Sequence, residues 1–172
     1  MKYKLTFILL LIGFYVSAQK PDIVGYDDIS INGINTKSTE KELIIAFGKP
    51  NSISEPNYDC GALSSEWNKV KVTLYSWNGI DFHCVNGILE VGKIDFRKAN
   101  PKIKTKQLTF DKNTTLTELK KAFPSSYQIW KERNEKYGSR IFSIWSTEFS
   151  DSEFHIIIEN GKIIEFKLYH PC

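Results

Sequence analysis

The chain contains the same nine-residue pattern twice. Thr39–Phe47 and Thr115–Phe123 both follow T-x-x-E-L-x-x-A-F, 76 positions apart. Two shorter similarities follow in the same order: Asp81-Phe82-His83 corresponds to Glu153-Phe154-His155, and Lys93-Ile94-Asp95-Phe96-Arg97 corresponds to Ile164-Glu165-Phe166-Lys167. Internal repeats of this length indicate copies of one supersecondary unit. The sequence therefore predicts a duplicated αβ unit.

Each copy of the pattern has the features of a helix start. A threonine N-cap followed three residues later by glutamate is a capping box, which satisfies two free backbone donors. Thr39 and Glu42 form one such box, and Thr115 and Glu118 form the other. Glycine and proline end the first helix at Gly48-Lys49-Pro50, and Pro124 is predicted to end the second.

Strand signals follow each helix. Asn78-Gly79, Asn86-Gly87 and Asn160-Gly161 are hairpin turns, because asparagine and glycine tolerate the positive φ that such turns require. Alternation of apolar and polar residues predicts a short opening strand in each unit, followed by three longer strands. Residues 127–131 are predicted to form a short helix or a strand. The predicted longer strands are Lys69–Trp77, Ile80–Val85, Ile88–Arg97, Arg140–Trp145, Ile156–Ile158 and Ile163–Tyr169. The fold class is α+β: two tandem repeats, each with one capped helix or two packed on a three- to four-stranded antiparallel sheet.

The N-terminal residues have the pattern of a cleaved export signal. Lys2 and Lys4 precede an apolar run from Leu5 to Val16, and Val16-Ser17-Ala18 is a small-residue cleavage site. The run is shorter than the roughly 20 apolar residues of a spanning helix, and no later segment is long enough. We therefore expect a signal peptide at 1–18, a first repeat at 19–100 and a second at 101–172, in a protein that is periplasmic or secreted.

The charge balance argues against nucleic acid as a partner. The chain has 23 Lys+Arg and 20 Asp+Glu, and loss of Lys2 and Lys4 leaves 21 against 20. Nucleic-acid-binding domains cluster basic residues on one face. The lysines between Lys98 and Lys106 lie at the repeat junction, where a solvated linker accounts for them.

Three cysteines are present: Cys60, Cys84 and Cys172. In an oxidising compartment one pair and one free thiol are expected. Cys60–Cys84 is the preferred disulfide because both residues lie in the first repeat. Pairing of either with Cys172, or a Cys84 that is a small buried side chain, stays open.

The helix start resembles that of the BamE/SmpA–OmlA-like envelope domain. That family begins with a short strand, glycine, T-x-x-E/D-L, an apolar stretch and G-x-P. The first unit matches at Thr39, Glu42, Leu43, Gly48 and Pro50, and the second at Thr115, Glu118 and Leu119 without the glycine. A tandem pair also resembles the β-lactamase inhibitory protein fold, in which two sheets present a concave face to a partner. The resemblance implies protein–protein binding in the cell envelope.

The known enzyme motifs are absent from the sequence. It has no H-E-x-x-H, G-x-S-x-G, P-loop or dinucleotide-binding glycine pattern. His83 and His155 each follow a carboxylate at i−2, Asp81 and Glu153, and strand alternation places acid and imidazole on one face. A metal-binding or hydrolytic enzyme built on these pairs is therefore an alternative, although a polar sheet face inherited by duplication is the simpler explanation.

The aromatic residues favour a binding role. Tyr75 and Trp77 lie on the side of their strand opposite Val72 and Leu74, and Trp145 closes the corresponding strand of the second repeat. Trp and Tyr carry much of the binding energy of protein interfaces, while rings packed between repeats or against helices are the competing explanation.

The sequence thus predicts an exported, non-enzymatic module without a cofactor or metal. It binds an envelope or secreted protein through Tyr75, Trp77 and Trp145. A small ligand or glycan on the aromatic face is a further alternative.

Overall fold

The computed structural model describes residues 20–58, 63–64, 71–147 and 151–171. In this part of the chain, helices and antiparallel sheets form an α+β fold, which confirms the predicted fold class. The helices are α1 (Glu40–Phe47), α2 (Leu116–Ala122) and α3 (Pro124–Tyr137). The strands are β1 (Ser30–Ile31), β2 (Ile34–Asn35), β3 (Lys37–Ser38), β4 (Ser52–Ser54), β5 (Val72–Trp77), β6 (Ile80–Val85), β7 (Ile88–Asp95), β8 (Ile103–Lys104), β9 (Thr109–Phe110), β10 (Ile141–Trp145), β11 (Glu153–Glu159) and β12 (Lys162–Tyr169).

Both predicted capping boxes are present. The Thr39 backbone N–H donates to Glu42 Oε2 at 2.8 Å, and the Glu42 N–H donates to Thr39 Oγ1 at 3.4 Å. Thr115 and Glu118 make the same two bonds at 2.7 and 3.3 Å. The carboxylates accept from the threonine backbone N–H and from its hydroxyl, which lowers the pKa of both glutamates because these bonds favour the charged form. The two boxes fix the start of α1 and α2 in the same way.

The segment after α2 differs from the prediction. Pro124 does not stop helical structure but begins α3, which runs for 14 residues. Proline is well suited to the first helical position, because its missing N–H would be unpaired there and its φ is already helical. Gly138, in the left-handed conformation at φ 67°, ends this helix. The predicted short element at residues 127–131 is therefore the middle of a longer helix.

Two sheets join the predicted repeats. The large sheet has eight described strands in the order β10-β11-β12-β7-β6-β5-β4, with β3 also paired to β7. The small sheet has the order β2-β1-β8-β9. In each sheet one pair, β12-β7 or β1-β8, joins a strand from before and a strand from after the predicted boundary at 100/101. The repeats therefore share their sheets, and β8 lies in the stretch expected to be a linker.

One face of the large sheet forms the core. Consecutive cross-strand partners make a row of buried apolar side chains, here called the core row: Phe142, Ile156, Phe166, Ile94, Ile80 and Trp77. Phe47 of α1 lies 5.9 Å from Trp77, and Phe123, between α2 and α3, lies 6.5 Å from Phe142 (ring centroids). Phe110 of the small sheet lies 5.8 Å from Phe166. The helices and the small sheet therefore pack on this face.

The opposite face of the large sheet, here called the open face, has a different character. The adjacent row of cross-strand partners is polar in all seven strands: Ser143, His155, Lys167, Lys93, Asp81, Ser76 and Ser52. Successive strand residues point to opposite faces, so these side chains point away from the core row. The described helices pack on the core row, whereas Tyr58, from the segment after β4, lies against His83 on the open face.

Candidate functional site on the open face

Trp77 belongs to the core and not to an exposed surface. Its side chain is 6% exposed, and its Nε1–H donates to the Gly48 carbonyl oxygen at 2.9 Å. The face predicted to be open at this strand is the one that α1 covers. This corrects the expectation that Trp77 contacts a partner, in favour of the alternative in which the ring packs against a helix.

Tyr75 lies on the same face of β5 as Trp77. The two rings stack with centroids 6.4 Å apart and planes at 22°. Burial, followed by the neighbouring Glu40 carboxylate, raises the pKa of Tyr75. Tyr75 is half-buried beside α1, so it contributes to the core edge and not to the open face.

Trp145 is the predicted contact residue that lies on the open face. It is half-buried at the end of β10, where its backbone N–H donates to Asp22 O and its carbonyl accepts from Val24 N–H, both at 2.9 Å. Its cross-strand partner is Glu153, which in turn faces Tyr169. Tyr169 is 41% exposed. Trp145, Glu153, His155 and Tyr169 form what we call the aromatic corner.

His155 and Glu153 interact closely within this corner. The His155 Nε2 and Glu153 Oε2 atoms are 2.8 Å apart, and this hydrogen bond is the main reason for the lowered pKa of Glu153. The His155 ring stacks on Tyr169 with centroids 4.7 Å apart and planes at 16°. His155 is 6% exposed, and its Nδ1 has no hydrogen-bond partner within the described residues.

The other acid–histidine pair lies on β6. His83 Nε2 is 2.7 Å from Tyr58 Oη, and the two rings meet edge to face at 5.3 Å. Burial and the nearby His170 lower the pKa of His83, against the opposing effect of Glu90 and Asp81. Gly92 makes the ring position possible, because a Cβ at that residue would lie 2.7 Å from His83 Cε1.

The two pairs do not converge on one centre. β6 and β11 have β7 and β12 between them in the sheet. Three strand spacings place the two pairs about 14 Å apart. Phe82 and Phe154, the residues between acid and histidine, are buried on the core face, as alternation predicted. Within the described residues, no cluster of three His, Cys, Asp or Glu has a geometry that could hold a metal ion.

The centre of the open face carries opposed charges that the sequence analysis did not single out. Lys93 and Lys167 are direct cross-strand partners on β7 and β12. Lys93 Nζ lies 3.6 Å from Asp81 Oδ2, and Lys167 Nζ lies 3.5 Å from Glu165 Oε1. Alternation with the buried Phe166 and Leu168 is the sequence signal that places Lys167 and Tyr169 on the open face.

The predicted disulfide involves one described residue. Cys84 is half-buried on β6 against the core and is a free thiol in the structure. Cys60 and Cys172 lie outside the described residues, so the Cys60–Cys84 pairing stays a prediction. The predicted signal peptide at 1–18 also lies outside them. No helix in the described part of the chain has the length and apolar character needed to cross a bilayer.

Comparisons of the chain with family models, with curated proteins and with solved structures found no match. The resemblance to the envelope domain therefore depends on the residues of the two helix starts.

Proposed function

We propose that this protein is an exported, non-enzymatic binding module that captures an envelope or secreted protein on its open face. The observation that carries the proposal is the one-sided packing of the large sheet. The described helices and the small sheet lie against the core row, while the other side of the same strands keeps polar, charged and aromatic side chains, with Tyr58 against it at β6. Away from the Tyr58 contact, a sheet face of this composition is stable in water and available to a partner.

The size of the open face suits a protein. Seven strands spaced about 4.8 Å apart and about five residues long give a face roughly 29 Å by 17 Å, or about 500 Å² in projection. Specific interfaces bury about 800 Å² on each partner. Because side chains project from the sheet, the accessible surface of the open face is larger than its projected area. The face is therefore of the right order for a protein partner and larger than a small ligand needs.

The aromatic corner is the expected centre of binding energy. Trp and Tyr are enriched at interface hot spots because they bury large areas and keep a polar group for hydrogen bonding. Trp145 and Tyr169 flank Glu153 in one cross-strand row, at the same end of the sheet as His155. Trp145 therefore keeps its predicted role, and Tyr169 replaces Trp77 in the proposed contact set.

In the proposed non-enzymatic role the histidines are structural residues of the open face. Nε2 of His155 is engaged by Glu153, Nε2 of His83 by Tyr58 and Nδ1 of His170 by Ser152 Oγ. The export signal and the resemblance to envelope domains support an extracytoplasmic partner.

The proposal is tested by capture from the envelope and secreted fractions of the cells that produce the protein. Wild-type protein, the open-face variant Trp145→Ala/Tyr169→Ala and the helix-side variant Ile45→Ala/Tyr137→Ala are immobilised in parallel. Ile45 and Tyr137 are 75% and 71% exposed on α1 and α3, so the control removes similar apolar surface elsewhere.

We expect one protein to be retained by wild type and by the helix-side variant but not by the open-face variant. Its purified form should bind the open-face variant at least tenfold more weakly than wild type, with all three melting temperatures close together. Equal binding to all three proteins would contradict the proposed surface.

A further inference from the structure

Arg97, Lys112 and Lys162 surround a groove that is separate from the aromatic corner. The groove has a volume of about 490 Å³ and lies where the end of β7, the start of β12 and the loop before α2 meet. Its apolar lining comes from the half-buried Ile164 and from Phe96 and Ile163, each 3% exposed. This volume is within the range of roughly 300–1,000 Å³ that small-molecule sites occupy.

The side chains that line this groove carry charge of one sign, from Arg97, Lys112 and Lys162. The neighbouring carboxylates, Asp95, Asp111 and Glu118, lie outside the lining and are bonded to Arg97 and to the backbone N–H groups of Asn113 and Thr115. Three further grooves among the described residues each contain at least one glutamate or aspartate beside their basic residues. A cleft lined by one sign of charge concentrates the opposite sign, because its low-dielectric walls focus the field.

The cations of the groove differ in how much of their charge is already neutralised. Arg97 donates from Nε and Nη2 to Asp95 at 2.8 and 3.1 Å, which lowers the pKa of Asp95 and holds the guanidinium in place. Lys112 and Lys162 are exposed and form no ion pair within the described residues. Two unneutralised ammonium groups therefore stand beside a fixed guanidinium.

Three backbone N–H groups beside the groove are already engaged. The N–H of Lys112 donates to Asn100 Oδ1, that of Asn113 to Asp111 Oδ1, and that of Thr115 to Glu118 Oε2. An anion here would be bound by side chains above an apolar floor.

We propose that this groove binds a small amphiphilic anion, with its charged head between Lys112, Lys162 and Arg97 and its apolar part against Phe96, Ile163 and Ile164. A free carboxylic acid and an anionic lipid headgroup share this chemistry. The site is distinct from the open face and does not depend on the proposed protein partner.

Sodium octanoate is the probe for the free acid. Binding is followed by amide chemical shifts of ¹⁵N-labelled protein at fixed ionic strength. Octanol is the control that has the alkyl chain without the charge, and inorganic phosphate is the control that has the charge without an alkyl chain. We expect octanoate to shift the amides of residues 112–115 and 161–164, and both controls to bind at least tenfold more weakly. Binding should weaken as salt is raised, since exposed charges are screened.

Two charge-matched variants test the assignment. Lys112→Ala/Lys162→Ala should weaken octanoate binding at least tenfold. Lys41→Ala/Lys49→Ala removes the same charge at and after α1 and should leave octanoate binding unchanged.

Sedimentation with vesicles of phosphatidylglycerol and phosphatidylcholine distinguishes a lipid headgroup from a free carboxylic acid as the ligand. Cosedimentation lost only in the groove variant identifies a lipid headgroup, and octanoate binding without cosedimentation identifies a free acid.

Three results would overturn the assignment: binding of neither octanoate nor vesicles, equal loss of binding in both variants, or shifts spread over the whole protein. Melting curves of both variants establish that they are folded.

Discussion

Asp95 of β7 and Glu165 of β12 face each other as direct cross-strand partners at the centre of the large sheet. They are also the residues that the repeated sequence pattern aligns. When a residue pairs with its own equivalent on an antiparallel strand, a local two-fold axis passes between them. The order β2-β1-β8-β9 of the small sheet is symmetric about the same junction. These relationships support the duplication, which stays a prediction.

Equivalent roles of the two helix starts predict equivalent effects of mutation. Thr39→Ala and Thr115→Ala each remove one capping box, and each should lower the free energy of unfolding by about 1 kcal/mol. The measurement is urea unfolding of both variants and of the double variant. Because the caps lie on different helices, the two losses should add. A loss at one position only would show that the two helix starts are not equivalent in stability.

The buried position of Trp77 predicts a stability effect. Trp77→Ala should lower the free energy of unfolding by about 3–5 kcal/mol, because it leaves a cavity in the core row. Trp77→Phe keeps most of the ring but loses the bond to Gly48, and should cost about 1–3 kcal/mol. Unchanged melting together with lost partner capture would restore Trp77 as a contact residue.

Because Gly92 lies against the His83 ring, the effects of mutations at these two residues on stability should be coupled. Gly92→Ala should destabilise the protein by about 1–3 kcal/mol, because its Cβ would displace the imidazole and weaken the bond to Tyr58. His83→Ala removes the obstacle, so Gly92→Ala should cost much less in that background. A double-mutant cycle in urea measures the coupling. The same cost in both backgrounds would mean that the imidazole does not restrict residue 92.

Burial of His83 predicts a pH-dependent contribution to stability. Its folded pKa lies below its ordinary value of 6.5, so the unfolded state binds the proton first as pH falls. Stability from the neutral imidazole is therefore present above pH 6.5 and is lost as pH falls towards the folded pKa, by at most about 1.4 kcal/mol for each pH unit.

His83→Gln removes this titration. The difference in unfolding free energy between wild type and His83→Gln should decrease between pH 7.5 and pH 5, measured by urea unfolding at constant ionic strength. A difference that stays constant, or that grows on acidification, would contradict a lowered pKa.

The sequence predicted much of the fold because local signals decide it. Capping boxes, Asn-Gly turns and strand alternation are short-range features, and both helix starts and the hairpins around Gly79, Gly87 and Gly161 are present. Asn86 and Asn160 have the expected positive φ, whereas Asn78 does not. α3 was underestimated because Pro124 is compatible with either a helix end or a helix start. The choice between these depends on packing of Trp130 against Phe142, a tertiary contact.

The site was harder to predict because alternation identifies two faces of a strand but not which face a helix covers. Trp77 and Tyr75 were placed on the open face for this reason. The cross-strand register decides which side chains from distant strands become neighbours. The register brings Lys93 opposite Lys167 and places Trp145 and Tyr169 on either side of Glu153. The pattern of residues along a single strand does not reveal how that strand is aligned with its neighbours.

Site-specific photo-crosslinking tests the central claim most directly. A benzophenone amino acid is placed at Tyr169 on the open face, or at Ile45 on α1 as the control, and each protein is irradiated with the purified partner. The open-face account predicts a crosslinked complex from position 169 and none from position 45, with competition by unlabelled wild-type protein. Crosslinking from position 45 alone would place the partner on the helix side and contradict the account.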